Sequence, residues 1–275
     1  MLAARRAGAP GVNVRLALRE LGGEGPPLVI LHGLYGSSRN WTTAGRRLSE
    51  RYQVLALDLR NHGDSPHAPD MSYPLLAADV GETLDELGLG RVSLLGHSLG
   101  GKTAMRFACD APERVAHLLV ADIAPRAYAV DPSPVAAMLA ISLEAVTRRS
   151  EADERLAEHI ADVELRQFLL TNLERRRTNL ERTGEGFAWR IDLQAIRNNL
   201  TELGRSPLGP LDRYDGPVDF FAGGRSQYFA PSDLEAARRY FPRARAHVLA
   251  DSGHDLHIDA RDELVAALFA AADAA

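Results

Sequence analysis

Six continuous apolar runs of strand length divide the chain. Residues 27–31 stop at His32-Gly33, 53–57 at Asp58, 92–95 at Gly96, and 115–121 at Asp122. Residues 218–222 stop at Gly223-Gly224, and 246–250 at Asp251-Ser252-Gly253-His254. A strand with one wet face alternates apolar and polar residues, so continuous runs predict strands covered on both faces. Helical patterns fill the gaps. Ser72 precedes Pro74 and an apolar face of Leu76, Val80, Leu84 and Leu87. Further helices are predicted over 99–111 (closed by Pro112), from Ser232 or Asp233 to about Tyr240, and over 262–272. This alternation, with right-handed crossovers, predicts an α/β fold with an open, mostly parallel, doubly wound sheet. Residues 14–19 alternate instead, which predicts an antiparallel edge strand.

The rhythm breaks between Pro125 and about Pro210. No strand is predicted there, and four amphipathic helices are: 134–148, 151–160, 164–176 and 193–203. Leu165, Phe168, Leu169 and Leu173 form one apolar stripe. The expected organisation is a core of residues 1–124 and 211–275 with a helical lid, 125–210, inserted between two core strands. The first ten residues read as a loose tail and the alanine-rich end, 266–275, as a helix tip.

Composition narrows the function classes. A net charge of −5 excludes a nucleic-acid binder that works by bulk positive charge. The single cysteine, Cys109, excludes an intrachain disulfide and a cysteine-built metal site. No apolar run approaches the roughly 18 residues that span a bilayer. Arg5 and Arg6 stand where a secretory signal has its apolar core, so a cytoplasmic protein without a membrane span is expected. Lys102 is the only lysine, and a GC-rich genome is the reading for the arginine excess.

Gly96-His97-Ser98-Leu99-Gly100 is a Gly-x-Ser-x-Gly between a predicted strand and a predicted helix, the context this motif requires. It places the Ser98 hydroxyl above the sheet on a strained turn. The helix N-terminus beneath supplies unpaired N–H groups where an oxyanion would form. A serine needs a base to take its proton. His254 follows the last predicted strand and returns to the same sheet edge, whereas His67, His159 and His257 read as solvated loop residues. His117 and His247 fall within strands and read as packed.

The loop after the fifth run, Gly223-Gly224-Arg225-Ser226-Gln227-Tyr228, holds no carboxylate to orient His254. Asp219 lies inside that run and Asp233 at the next helix start, both poorly placed. One strand earlier, Asp122 stands at a C-terminal strand end, and the order Ser98, Asp122, His254 suits a Ser-His-Asp triad. Asp255 is expected to point elsewhere. The N–H groups of Leu34, in His32-Gly33-Leu34-Tyr35-Gly36, and of Leu99 are the expected oxyanion hole.

With these motifs the chain resembles an α/β-hydrolase over nearly its whole length. More narrowly, it resembles the YbfF-type esterases and their mitochondrial abhydrolase relatives. The matching pieces include Asn40-Trp41, Asp58-Leu59-Arg60-Asn61-His62-Gly63-Asp64-Ser65, Gly100-Gly101-Lys102, Asp122-Ile123-Ala124-Pro125 and Phe187-Ala188-Trp189-Arg190. Asn61 and Lys102 separate this group from generic relatives. The resemblance implies an acid after the earlier strand, as the bare Ser226 loop suggested. It also implies an aromatic after the catalytic histidine, where this chain has Asp255-Leu256. Arg60 to Gly63 read as a loop bracing the oxyanion strand, Lys102 as a polar anchor, and Cys109, Trp41 and Trp189 as packing. Arg175-Arg176-Arg177 reads as a solvated helix end.

The expected activity is hydrolysis of a carboxylic ester or acyl thioester through an acyl-enzyme, on a small-molecule substrate. The alternatives on the same triad are carbon–carbon bond hydrolysis and cofactor-free perhydrolysis, followed by non-catalytic binding. No phosphate loop, nucleotide fingerprint or metal constellation is present in the sequence, so no cofactor is expected.

Overall fold

The computed structural model describes residues 11–177 and 185–274. The predicted tail, residues 1–10, lies outside them. The chain runs β1 (Ala17–Gly22), β2 (Pro27–Leu31), α1 (Thr42–Leu48), β3 (Gln53–Asp58), α2 (Tyr73–Glu86), β4 (Val92–His97), α3 (Leu99–Asp110) and β5 (Val115–Ala121). Next come α4 (Ser133–Ala140), α5 (Arg149–Ala157), α6 (Val163–Leu170), β6 (Leu173–Arg177), β7 (Glu185–Trp189) and α7 (Leu193–Gly204). It ends with β8 (Val218–Gly223), α8 (Pro231–Ala237), β9 (Ala244–Leu249), α9 (Leu256–Asp259) and α10 (Arg261–Asp273).

Seven strands form one sheet in the order β1-β3-β2-β4-β5-β8-β9. β1 is the antiparallel edge strand, and every other pair is parallel. Alternate residues of the apolar runs serve opposite faces, which is why the runs are unbroken. In β2, Val29 and Leu31 pack with α2 and α3, including Leu76, Val80 and Met105. Leu28 and Ile30 face the other way, toward Trp41, Leu48, Leu264 and Leu268 around α1 and α10.

Two buried polar groups fasten elements on which the site depends. Arg60, after β3, makes a bidentate pair with Asp79 of α2 at 2.6 and 2.7 Å, and both side chains are fully buried. Asp219 of β8 accepts from His117, His247 and Arg245 on the neighbouring strands at 2.6–2.9 Å. Burial opposes its ionisation, but those donors outweigh burial and hold the carboxyl well below its ordinary range. His117 and His247 are thus partners of a buried carboxylate rather than simply packed.

Between β5 and β8 the structure departs from an all-helical reading. The helix expected over 164–176 stops at Leu170, and Leu173 opens an antiparallel hairpin of β6 and β7. Asn172 ends the helix by bonding back to it: its N–H and its amide both donate to the Leu169 carbonyl. The same amide donates to the Tyr35 carbonyl at 2.7 Å, and the Asn172 carbonyl accepts from Arg190 N–H. Arg175 and Arg176 therefore lie on a strand, not at a helix end. Leu173 stays buried in the same apolar cluster as Leu169, so the stripe survives the change of backbone.

Candidate active site

Ser98 sits between β4 and α3 with φ 51° and ψ −115°, a conformation that costs a side-chain-bearing residue about 1–3 kcal/mol. The turn is held from several sides. Ser98 N–H donates to the Ala121 carbonyl at 3.1 Å, and Gly100 N–H donates to the His32 carbonyl at 3.1 Å. Glycine is required at both ends of the motif. A Cβ on Gly96 would lie 2.2 Å from the Gly100 carbonyl oxygen, and one on Gly100 2.4 Å from that of Leu31.

Asp122 ends β5, also at positive φ (50°), and its N–H donates to the Phe221 carbonyl at 2.8 Å. That backbone turns its side chain across the end of β8. The buried carboxylate accepts from Gly223 N–H at 2.9 Å, from the Ser226 hydroxyl, and from His254 Nδ1 at 2.7 Å. Ser226 is a residue of the candidate site that sequence reasoning missed. Its signal was present, because the loop searched in vain for a carboxylate still reaches Asp122, through a hydroxyl. Asp219 is tied up inside the sheet, and Asp233 pairs with Arg126 at 3.0 Å.

His254 lies on the loop between β9 and α9, its ring against Tyr228 (centroids 4.1 Å apart) and near His97 (4.7 Å). Donation from Nδ1 to Asp122 leaves the neutral ring's Nε2 as an acceptor. No hydrogen bond joins the Ser98 hydroxyl to this ring in the structure; such bonds often tighten only around substrate.

Two neutral histidines brace the loop that carries Leu34. His32 donates from Nδ1 to the Gly33 carbonyl at 2.8 Å and accepts at Nε2 from Leu59 N–H at 3.0 Å. His62 donates to the Arg60 carbonyl at 2.9 Å and accepts from Tyr35 N–H at 3.3 Å. Burial lowers both rings' pKa, that of His62 to about 3, so both act as fixed dipoles. Among the described residues the Leu34 N–H has no protein acceptor. Leu99 opens α3, where first-turn N–H groups have no partner within the helix.

His257 is not the solvated loop residue expected from sequence. It is 6% exposed, stacked on Trp41 at 4.5 Å, with neither ring nitrogen hydrogen-bonded. Helix α9 carries it inward, which a reading of the loop alone had no means to see. His97, Asp255 and His257 bring ligand atoms within 4.8 Å of one another. His97 Nε2 donates to the His254 carbonyl at 2.9 Å.

These residues surround a cavity of about 300 Å³. Ser98, His254, Leu34 and Leu99 line it from the strand ends; Pro134, Leu165 and Phe168 line it from the segment between β5 and β8. Tyr73, Lys102 and Tyr128 complete one wall. Trp189 does not reach it, and instead donates to the Met138 carbonyl at 3.1 Å, holding the hairpin to α4.

The family model of the α/β hydrolase fold matches residues 26–261, and the chain belongs to that family. It is 37% identical over 247 residues to the mouse (Mus musculus) protein named sn-1-specific diacylglycerol lipase ABHD11, covering 85% of this chain and 76% of that one. It is 31% identical over 261 residues to Esterase YbfF of Escherichia coli (strain K12), covering 94% and 97%. Among solved structures, a marine microorganism esterase superposes with a TM-score of 0.87 at 35% identity, covering 94% of this chain and 99% of that one. The chain is an ester-hydrolysing enzyme of the esterase/lipase type. Among the described residues no helix is long and apolar enough to cross a membrane.

Proposed function

We propose that the enzyme hydrolyses carboxylic esters, and acyl thioesters by the same chemistry, through an acyl-enzyme on Ser98. His254 takes the serine proton as the hydroxyl attacks the carbonyl carbon. The N–H groups of Leu34 and Leu99 receive the oxyanion. His254 then protonates the leaving alcohol or thiol and activates the water that releases the acid. Asp122 holds the His254 tautomer and stabilises the imidazolium. The observation that carries this reading is the 2.7 Å bond from His254 Nδ1 to a buried carboxylate, in the cavity that also holds Ser98 on its strained turn. The esterase and lipase names of the relatives favour ester substrates. A serine-directed fluorophosphonate is expected to label Ser98 and abolish hydrolysis of p-nitrophenyl acetate. Labelling elsewhere, with activity retained, would overturn the reading.

We further propose that residues 125–210 act as a lid over a core of residues 1–124 and 211–275. Its support is the apolar wall that Leu165 and Phe168 present to the cavity. Phe168→Ala is expected to shift the preference between short and long p-nitrophenyl acyl chains at least tenfold, a difference of ~1.4 kcal/mol between barriers. Trp189→Ala should shift it less, because the indole packs outside the cavity. Superimposable chain-length profiles for Phe168→Ala and the parent would reject the lid's role in selection.

A further inference from the structure

Lys102 is the one lysine in a chain whose 32 Lys and Arg are otherwise all arginine. It is 2% exposed, yet it lines the same cavity as Ser98. Its own N–H donates to the Ser98 carbonyl at 3.0 Å, so it stands one helical turn beyond the serine. The ammonium donates to the Arg205 carbonyl at 2.7 Å and lies 5.4 and 4.8 Å from the ring centroids of Tyr73 and Tyr128. Rings and one carbonyl satisfy part of a buried cation, but an ammonium has three donors. Among the described residues no carboxylate forms an ion pair with it. A buried charge without a counter-ion is costly, and an anion entering the cavity removes that cost.

We propose that Lys102 is a specificity-determining residue that binds a carboxylate carried by the acyl half of the substrate, so that the enzyme prefers half-esters of short dicarboxylic acids over neutral esters. The inference rests on the serine-hydrolase reading above and adds the substrate class. The cavity supports it in three ways. At about 300 Å³ it is at the small end for ligand sites, which suits a short acyl chain. One helical turn separates Ser98 from Lys102, and both line the same cavity. Burial, and then the Arg126 charge, lower the lysine's pKa to about 8, in keeping with a cation that one carbonyl and two rings compensate only in part. The competing role is a tether from α3 to the end of α7 through the Arg205 carbonyl.

The test compares kcat/KM for the p-nitrophenyl monoesters of succinate, glutarate and adipate with neutral p-nitrophenyl esters of equal chain length. The parent enzyme is expected to prefer the charged member of at least one pair. Lys102→Met is expected to reduce that ratio about 10- to 100-fold, the range of a hydrogen bond to a charged group. A tether alone would lower both rates together and leave the ratio unchanged. The parent enzyme gives a second measurement that does not depend on the variant folding. Its ratio should fall as pH rises from 7 to 9, because kcat/KM reports the free enzyme and the ammonium is lost across that window. The groups facing Lys102 are the ring faces of Tyr73 and Tyr128, whose hydroxyl pKa values burial raises, the Arg205 carbonyl, and the charge of Arg126. Any pH effect on the shared hydrolytic steps affects both esters and divides out of the ratio. Absence of a preference in the parent, or a ratio untouched by Lys102→Met, overturns the inference while neutral-ester hydrolysis and Ser98 labelling still stand. If neither ester is cleaved and Ser98 is not labelled, the serine-hydrolase reading falls and the inference falls with it.

Discussion

Ser98→Ala is expected to lower kcat on the best ester by about 10⁴–10⁶, with the fold and thermal midpoint close to the parent's. The size follows from what is removed. Without the hydroxyl there is no acyl-enzyme, and only the oxyanion donors and the shaped cavity remain to act on a bound ester. Those residual elements still give a measurable advantage over water, so the rate should not fall to zero. Removing the hydroxyl leaves a small apolar side chain at φ 51°, a strained position with either residue, so stability should change little. The double variant with His254→Ala should be no worse than either single one, because serine and histidine act as one unit. Burst-phase kinetics separate the outcomes: the parent should show an acylation burst and Ser98→Ala none. A Ser98→Ala enzyme within tenfold of the parent would place the nucleophile elsewhere.

The second large effect is expected at Asp122. Asp122→Asn keeps the shape and removes the charge, and a loss of up to ~10⁴ in kcat is the triad precedent. The surroundings explain why an isosteric change should be so costly. The buried side chain accepts from Gly223 N–H, the Ser226 hydroxyl and His254 Nδ1. An asparagine brings two donors into a pocket built from donors. Its carbonyl oxygen can keep the Gly223 bond, but its amide then faces His254. The ring must either lose its partner or turn over to the tautomer whose proton points at Ser98. Activity should recover partly at high pH if hydroxide replaces the base. Asp233→Asn is the control, since Asp233 pairs with half-exposed Arg126 outside the cavity, and it should stay within about tenfold. Asp219→Asn should lower stability rather than kcat, because its partners are two histidines and an arginine inside the sheet. A crippled Asp233→Asn beside a healthy Asp122→Asn would reassign the acid.

Local chemistry carried much of the design in legible form. The unbroken apolar runs announced a sheet covered on both faces, since only strands buried on both sides dispense with alternation. The alternating residues 14–19 announced its antiparallel edge, which the structure sets three residues later, at Ala17–Gly22. Gly96-His97-Ser98-Leu99-Gly100 announced the strained turn, because glycines at those two positions are what let the backbone pass within contact distance of neighbouring carbonyls. Asp122 was singled out by elimination, from a loop with no carboxylate and a strand end that had one, and its bond to His254 supports the proposed triad.

Other features depended on pairing between residues far apart in the chain, and sequence patterns do not encode partners. Leu173-Glu174-Arg175-Arg176-Arg177 fits an amphipathic helix as well as a strand; what decides is the partner strand Glu185–Trp189 and the Asn172 bond to Tyr35, 137 residues away. Ser226 joins the acid only because β5 and β8 are neighbours in the sheet, a fact invisible while 96 residues of chain separate Ala121 from Val218. His257 reads as polar and solvated until α9 turns it onto Trp41. Lys102 is one more residue on a helix until the end of α7 and two tyrosines enclose its ammonium in the cavity. Hydrophobic periodicity is a local property, so the chain alone determined the strands of the main sheet and the glycine and aspartate positions where they end. The neighbours of each buried polar group are set by the closing of long loops, so only the tertiary structure decided what those groups face.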